Sequence, residues 1–178
     1  MELQELKERF ESAIGAFLNK EVDLLKNNIN EETISTELTG YLREEFDDWQ
    51  WNVDHLFDHR IKNNESVRKR IMLARDALPI DKIPKKIAED KQEINKLIIP
   101  DIIFHDRYSG EHNFIVIEIK MSKNKSKNDR IFDRIKLEVM TSTDLQYKWG
   151  VFLDFTSGKE FNEEEPYKIE FVTNGEWQ

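Results

Sequence analysis

Asp101, Glu118 and Lys120 are the residues of this chain whose types and spacing could act together in catalysis, and all three lie in the stretch PDIIFHDRYSGEHNFIVIEIK. Two apolar runs surround a short polar break, a pattern that predicts a hairpin of two strands. A loop of even length centred on Ser109 and Gly110 would pair Asp101 directly with Glu118. Because side chains alternate along a strand, Lys120 is expected on the same face as the two acids.

The same alternation divides the whole hairpin into an apolar face and a polar face. We expect the apolar face to be core and the polar face to hold the chemistry. The apolar face is predicted to carry Ile98, Ile102, Phe104, Ile115, Ile117, Ile119 and Met121. The polar face is predicted to carry Ile99, Asp101, Ile103, His105, Phe114, Val116, Glu118 and Lys120.

Directly opposed acids need a compensating charge. Cβ atoms in such a pair are about 4.5–5.5 Å apart, and two carboxylates at that distance repel by roughly 3 kcal/mol at an effective dielectric of about 20. Lys120 could form a salt bridge with the acids, or the acids could share a proton, which would raise one pKa. A divalent cation is the third possibility, since Mg²⁺ prefers hard oxygen ligands and keeps several waters.

Composition and charge limit the classes of function. The chain has 178 residues, a formal net charge of −9 and no cysteine, which excludes disulfides, thiolate catalysis and cysteine zinc sites. No apolar window is long enough to span a membrane, so we expect a cytoplasmic protein that does not contact membranes. The charge is uneven, because residues 120–136 hold 7 bases and 2 acids. A local basic stripe is therefore predicted inside an acidic protein.

Hydrophobic periodicity predicts one α/β domain over residues 1–178, with a mixed sheet and helices packed on it. Helices are predicted over 2–27, after the N-cap Asn30, and over 65–78, 84–97 and 129–144. Strands are predicted around 51–57, in the hairpin, and at WGVFLDF and YKIEFV.

The spacing Pro100-Asp101, sixteen residues, then Glu118-Ile119-Lys120 resembles the PD-(D/E)xK nuclease superfamily, the fold of many restriction endonucleases. Of three Glu-x-Lys triplets in the chain, only this one follows a Pro-Asp pair on a paired strand. The chain is also similar to a group of small bacterial members of that superfamily, in the segments NEETISTEL, WNVD, PDIIFH, IEIK and DRIKL. The resemblance implies a restriction-endonuclease-like mixed central sheet with core order αβββαβ over 30–155, and an added N-terminal helix within 1–28.

The resemblance also implies roles for the residues of the motif. Asp101 and Glu118 would bind Mg²⁺ or Mn²⁺ together with the carbonyl of Ile119. Lys120 would orient or help to deprotonate the attacking water. Glu31 is expected as a third acid, because at 100° per residue it falls on the apolar arc of its helix. Glu37 lies at the edge of that arc.

Other polar residues receive weaker assignments. Lys123, Lys125, Lys127 and Arg130 follow the predicted site and could form a phosphate track, although lysine runs are also typical of solvated loops. His105 shares the acidic face, where a structural role and a catalytic role both remain open. Asp133 and Lys136 match the later DRIKL pattern, with no expected role beyond helix packing and surface charge.

These observations predict a Mg²⁺-dependent nuclease that hydrolyses phosphodiester bonds. The expected partner is nucleic acid, with DNA as the first candidate, and the long first helix could pair two copies of the chain as a homodimer. The alternative is a nuclease-fold module that binds nucleic acid or a protein without cutting, as the net negative charge suggests. A third possibility is a structural or regulatory protein in which Lys120 neutralises the acids.

Overall fold

The computed structural model of this chain describes residues 1–57, 59–62, 65–83, 92–107, 113–143 and 145–178, with the backbone alone over 59–62 and 65–67. Three α-helices lie in these ranges: α1 (Leu3–Lys26), α2 (Glu31–Glu45) and α3 (Lys127–Ser142). Ten strands lie in the same ranges: β1 (Asn52–His55), β2 (His59–Lys62), β3 (Glu65–Arg68), β4 (Arg70–Ala74), β5 (Glu93–Leu97), β6 (Ile102–His105), β7 (Asn113–Met121), β8 (Trp149–Phe155), β9 (Tyr167–Thr173) and β10 (Glu176–Trp177).

A mixed six-stranded sheet in the order β1-β6-β7-β8-β9-β10 forms the centre of the molecule. Its neighbours are antiparallel except β7 and β8, which are parallel and are joined by the crossover helix α3. Two separate antiparallel ribbons, β2-β3 and β4-β5, lie in the chain between β1 and β6. The fold class predicted from the sequence, α/β with a mixed sheet, is therefore confirmed.

Helices cover both faces of the sheet. On one face α1 and α2 bury large side chains such as Phe10, Phe17 and Leu38 against the apolar residues of β6, β7 and β8. On the other face α3 and the β4-β5 ribbon enclose a second core that contains Leu137, Phe152 and Ile71. Both sides of the central strands are therefore buried, which explains why the sequences of β7 and β8 are almost continuously apolar.

Helices α1, α2 and α3 begin and end close to their predicted positions. Asn30 caps α2 as expected, because its side-chain oxygen accepts a hydrogen bond from the backbone N–H of Thr33 at 2.8 Å. Ser126 caps α3 in the same way through the N–H of Asp129. The apolar face of α1 is buried within its own chain. Across the described residues, no helix combines the length and the apolar character needed to cross a bilayer.

The helix predicted over 65–78 is wrong, and the helix predicted over 84–97 is wrong in the part that the structure describes. Residues 65–68 and 70–74 form strands, 75–77 form a single 3₁₀ turn and 93–97 form β5, while 84–91 lie outside the described residues. In β4 the buried residues Ile71 and Leu73 alternate with exposed ones. Arginine, methionine, leucine and alanine favour helices, but packing of the alternating apolar face against α3 overrides that preference.

The predicted register of the hairpin is confirmed where the two strands pair. Ile102 faces Ile117 and Phe104 faces Ile115, as the pairing of Asp101 with Glu118 requires. The predicted loop centre at 109–110 lies outside the described residues. A bulge between Phe104 and His105 then shifts the pairing, so that His105 faces Asn113.

Two predicted face assignments in the hairpin are wrong. Phe114 packs on the α1-α2 side, against Trp49 and Trp51, because the bulge breaks the simple alternation. Ile98 packs on the α3 side, because it lies between β5 and β6, where the alternation of β6 does not apply. Ile103 and Val116, which lie on the face predicted to be polar, are fully buried. Away from the two acids, this face therefore forms part of the second core.

Candidate functional site

The two acids of the motif meet at the junction of β6 and β7. Asp101 directly precedes β6, and its Oδ2 accepts a hydrogen bond from the backbone N–H of Ile119 at 2.7 Å. Glu118 lies in β7 and is only 2% exposed. Burial raises the pKa of Glu118, Lys136 lowers it, and the neighbouring charge of Asp101 raises it further. The hairpin register thus brings both acids to one site.

Helix α3 supplies two further charged residues to this site. Nζ of Lys136 lies 2.8 Å from Oε2 of Glu118 and 2.6 Å from Oδ1 of Asp133. Asp133 is 4% and Lys136 is 9% exposed, so the surface role expected from the sequence is wrong. The signal was present in the helical pattern, because these two positions lie on the same buried face of α3 as Leu137 and Met140.

Lys120 joins three elements of the fold. Its Nζ lies 3.2 Å from Oε2 of Glu31 in α2 and 3.0 Å from Oδ2 of Asp133 in α3. It also donates to the carbonyl oxygen of its neighbour Ile119 at 3.1 Å. Glu31 therefore points toward the sheet as predicted, whereas Glu37 is exposed. We name the cluster of Glu31, Asp101, Glu118, Lys120, Asp133 and Lys136 the carboxylate cluster.

The carboxylate cluster carries more negative than positive charge. It contains four carboxylates and two ammonium groups, which leaves two negative charges when every group is ionised. Burial raises the pKa of Glu118 to about 8, although Lys136 opposes the shift. Burial also raises the pKa of Asp101, against the hydrogen bond from Ile119. Burial therefore disfavours the ionised form of both acids, and the lysines of the cluster only partly offset it.

The two lysines remain charged. Burial alone would lower the pKa of Lys120, but Asp133 and Glu31 raise it above its usual range. Burial likewise opposes the charge on Lys136, but Glu118 and Asp133 raise its pKa. One alternative was a salt bridge from Lys120 to Asp101 and Glu118. Among the described residues, however, the ion pairs of Lys120 are with Glu31 and Asp133. Lys136 pairs with Glu118 instead.

The oxygen atoms of the cluster fit a hard divalent cation. Oε1 of Glu118 is buried and has no hydrogen-bond partner among the described residues, an arrangement that is costly for an ionised carboxylate. Asp101 and the carbonyl of Ile119 are the neighbouring oxygen donors expected from the sequence. Such oxygens suit Mg²⁺ or Mn²⁺. Within the described part of the chain, however, no three His, Asp or Glu side chains are already grouped as a preformed metal site.

The predicted basic stripe divides into two parts. Lys123, Lys125 and Lys127 are exposed. Arg130 turns inward, where its guanidinium binds both carboxylate oxygens of Asp154 at 2.8 and 2.9 Å and donates to the carbonyl of Met121. Arg130 therefore fixes the loop between β7 and α3, and only the lysines are available on the surface.

His105 belongs to a separate buried ion-pair group. Its Nε2 lies 2.7 Å from Oδ2 of Asp54, which Arg107 also contacts. Burial lowers the pKa of His105, although its hydrogen bond to Asp54 opposes the shift. The ring packs against Phe57 with centroids 4.6 Å apart. These contacts give His105 a structural role. It lies at the end of β6 opposite to Asp101.

Comparisons of this chain with protein-family models, with curated proteins and with solved structures found no match. The case for a function therefore rests on the residues of the carboxylate cluster and their geometry.

The raised pKa of Glu118 predicts a pH dependence of stability in a metal-chelating buffer. Between the ordinary glutamate pKa of 4.5 and about 8, the folded protein keeps a proton that the unfolded chain has released. Stability therefore falls as pH rises through this range, by an amount on the order of a few kcal/mol. We expect Glu118→Gln to flatten the profile, measured as the free energy of unfolding by urea at several pH values.

Glu37→Gln is the matched control, because Glu37 is exposed and outside the cluster. It should follow the wild-type profile. Parallel profiles for the wild type and Glu118→Gln would show that Glu118 is not the group whose ionisation is suppressed by burial.

Proposed function

We propose that this protein is a nuclease that uses Mg²⁺ or Mn²⁺ to hydrolyse phosphodiester bonds of nucleic acid, with DNA as the first substrate to test. The observation that carries the proposal is the burial of Asp101 and Glu118 in one site beside a charged Lys120, with Oε1 of Glu118 unpartnered among the described residues. A divalent cation would stabilise the ionised form of these two acids. The proposal is supported by the order of α2, the central-sheet strands and α3 along the chain. With the two ribbons β2-β3 and β4-β5 set aside, that order is α2, β1, β6, β7, α3, β8, which follows the αβββαβ order that the sequence resemblance implies.

Asp101, Oε1 of Glu118 and the carbonyl of Ile119 would hold the metal ion. When bound, the ion would lower the pKa of a coordinated water and offset charge that develops on the phosphate. The protein residues keep water and phosphate in position. Because the acids around Lys120 raise its pKa, its side chain stays an ammonium group. Lys120 would then donate hydrogen bonds to the water or to a phosphate oxygen rather than accept a proton.

Residues from the two helices fix the direction of Lys120. Glu31 approaches its Nζ from α2 and Asp133 from α3. In this proposal Asp133 positions Lys120, and Lys136 holds the second oxygen of Glu118, leaving Oε1 for the ion. Glu31 is the third acid of the site, acting through Lys120.

One observation favours a second candidate, the nuclease-fold module that binds without cutting. Lys136 already gives Glu118 and Asp133 a counter-ion from the protein itself. In such a module the lysine would take the place of the cation permanently, and the cluster would serve to hold α3 against the sheet. The two candidates differ in whether the protein binds a divalent ion.

A titration with Mn²⁺ and Mg²⁺ separates the candidates. At a metal concentration 100 times the dissociation constant, we expect stabilisation by about 2.7 kcal/mol, or a rise in Tm of roughly 5–10 °C. Asp101→Asn should lose both this rise and the cleavage of labelled DNA, because it removes a ligand charge without changing side-chain size. Asp47→Asn, at an exposed position, is the control and should keep both. A wild-type protein whose Tm does not respond to either ion would contradict the nuclease and favour the module.

The variant Lys136→Met tests whether a metal ion and Lys136 serve the same electrostatic need. Removing one partner of a buried ion pair costs about 3–5 kcal/mol, so the variant should be destabilised in chelating buffer by that amount. We expect Mn²⁺ to restore more stability to Lys136→Met than to the wild type, measured by urea unfolding with and without the ion. Lys20→Met, at an exposed position, controls for the substitution itself. If Mn²⁺ restores nothing to Lys136→Met, the ion does not bind next to Glu118.

A further inference from the structure

A second feature lies beside the carboxylate cluster, an open cleft of about 750 Å³. Its walls come from the end of α1, the loop between β7 and α3, and the turn that follows β8. Four lysines line it: Lys26, Lys123, Lys125 and Lys159. We name this feature the lysine cleft. Lys26 and Lys159 are not part of the basic stripe that the sequence predicted.

Contacts between the three segments hold the lysine cleft in shape. Nζ of Lys123 donates to the carbonyl oxygens of Asn28 and Ile29 at 3.1 and 2.9 Å. The backbone N–H of Ser157 donates to Oγ of Ser122 at 2.9 Å. Gly158, at φ +56°, lies so close to Asn28 that an added Cβ would be 3.2 Å from the Asn28 Cβ. The walls are therefore formed by the fold itself, before any ligand binds.

The charge of the lysine cleft suits an anion. Among the described residues, Glu160 is the acidic one that lines the cleft, and it pairs with Lys125. Lys26 pairs with Glu163 at 2.7 Å. Four lysines against these two acids leave two positive charges, in a chain whose formal net charge is −9. Both acids are exposed, so their pairs with lysine are weak enough for a phosphate to compete.

The lysine cleft and the carboxylate cluster share the same two chain segments. Lys120 contacts Glu31. Lys123, three residues after Lys120, contacts the carbonyl oxygen of Asn28, three residues before Glu31. Three residues of extended chain span at most about 10 Å. A nucleic-acid strand whose scissile phosphate lies at Lys120 would therefore have a neighbouring part of its backbone next to the lysine cleft.

We propose that the lysine cleft binds a phosphate of the nucleic-acid strand near the phosphate that is cleaved at the carboxylate cluster. This inference rests on the proposed nuclease function and specifies how that site engages its substrate. The cleft contributes affinity and position for the strand and takes no part in the bond cleavage. Contacts to the sugar-phosphate backbone carry no base information, so the contribution is independent of sequence.

The double variant Lys26→Gln with Lys159→Gln tests the cleft in the full chain. Binding of a short fluorescent DNA oligonucleotide is measured by anisotropy in chelating buffer, over a series of salt concentrations and with two different sequences. We expect affinity to fall about tenfold for both sequences, and the slope of log K against log salt to decrease in magnitude by about 1. Inorganic phosphate is added as a competitor in a parallel series.

The control is Lys20→Gln with Lys148→Gln, which changes net charge equally at exposed positions outside the cleft. It should bind DNA within about twofold of the wild type, since a change of net charge alone acts weakly at moderate salt. Equal loss in the two double variants, or no loss in the first, overturns the proposal. So does an outcome in which inorganic phosphate binds to the cleft but DNA affinity does not depend on Lys26 and Lys159.

The metal experiment keeps the two proposals distinguishable. If the wild type cuts DNA with Mn²⁺ and both double variants bind DNA equally, the nuclease stands and the lysine cleft fails. If the wild type binds DNA through Lys26 and Lys159 but does not respond to Mn²⁺ or Mg²⁺, the cleft stands and the nuclease fails.

Discussion

A carboxylate removed from water needs positive charge close to it, and this requirement governs the arrangement around Glu118. The hairpin register brings Asp101 to the same site, and α3 adds Asp133. Lys120 and Lys136 are both engaged, yet Oε1 of Glu118 keeps no hydrogen-bond partner in the described structure. Such a site is stabilised either by a proton on Glu118 or by an added cation.

The same charges link the site to the architecture. Lys120 connects β7 to α2 through Glu31 and to α3 through Asp133, while Lys136 connects α3 back to β7. The cluster therefore forms only when helices from both faces are in place around the end of the sheet. A group held from three sides is well suited to positioning water and phosphate, because catalytic groups act best when their geometry is fixed beforehand. In the proposed function, the lysine cleft would extend this surface along the path of a bound strand.

Local patterns predicted a large part of the hairpin and of α2. The pairing of Ile102 with Ile117 followed from alternation and a symmetric loop, and the inward direction of Glu31 followed from its position on the apolar arc of its helix. The contact of Lys136 with Glu118 was not predicted, because the two residues belong to different elements and only the packing of α3 on the sheet brings them together. The strands at 70–74 and 93–97 were missed for the same reason, since tertiary packing overrides their helix-favouring composition. Lys26 and Lys159 are distant in sequence, so only topology joins them.

The most direct test of the account is anomalous diffraction from crystals soaked in Mn²⁺ at a pH above the Glu118 pKa of about 8. The account predicts an anomalous peak at coordination distance, roughly 2.1–2.3 Å, from carboxylate oxygens of both Asp101 and Glu118. A map with no peak between these two acids, and with Glu118 bound to Lys136 alone, would contradict it.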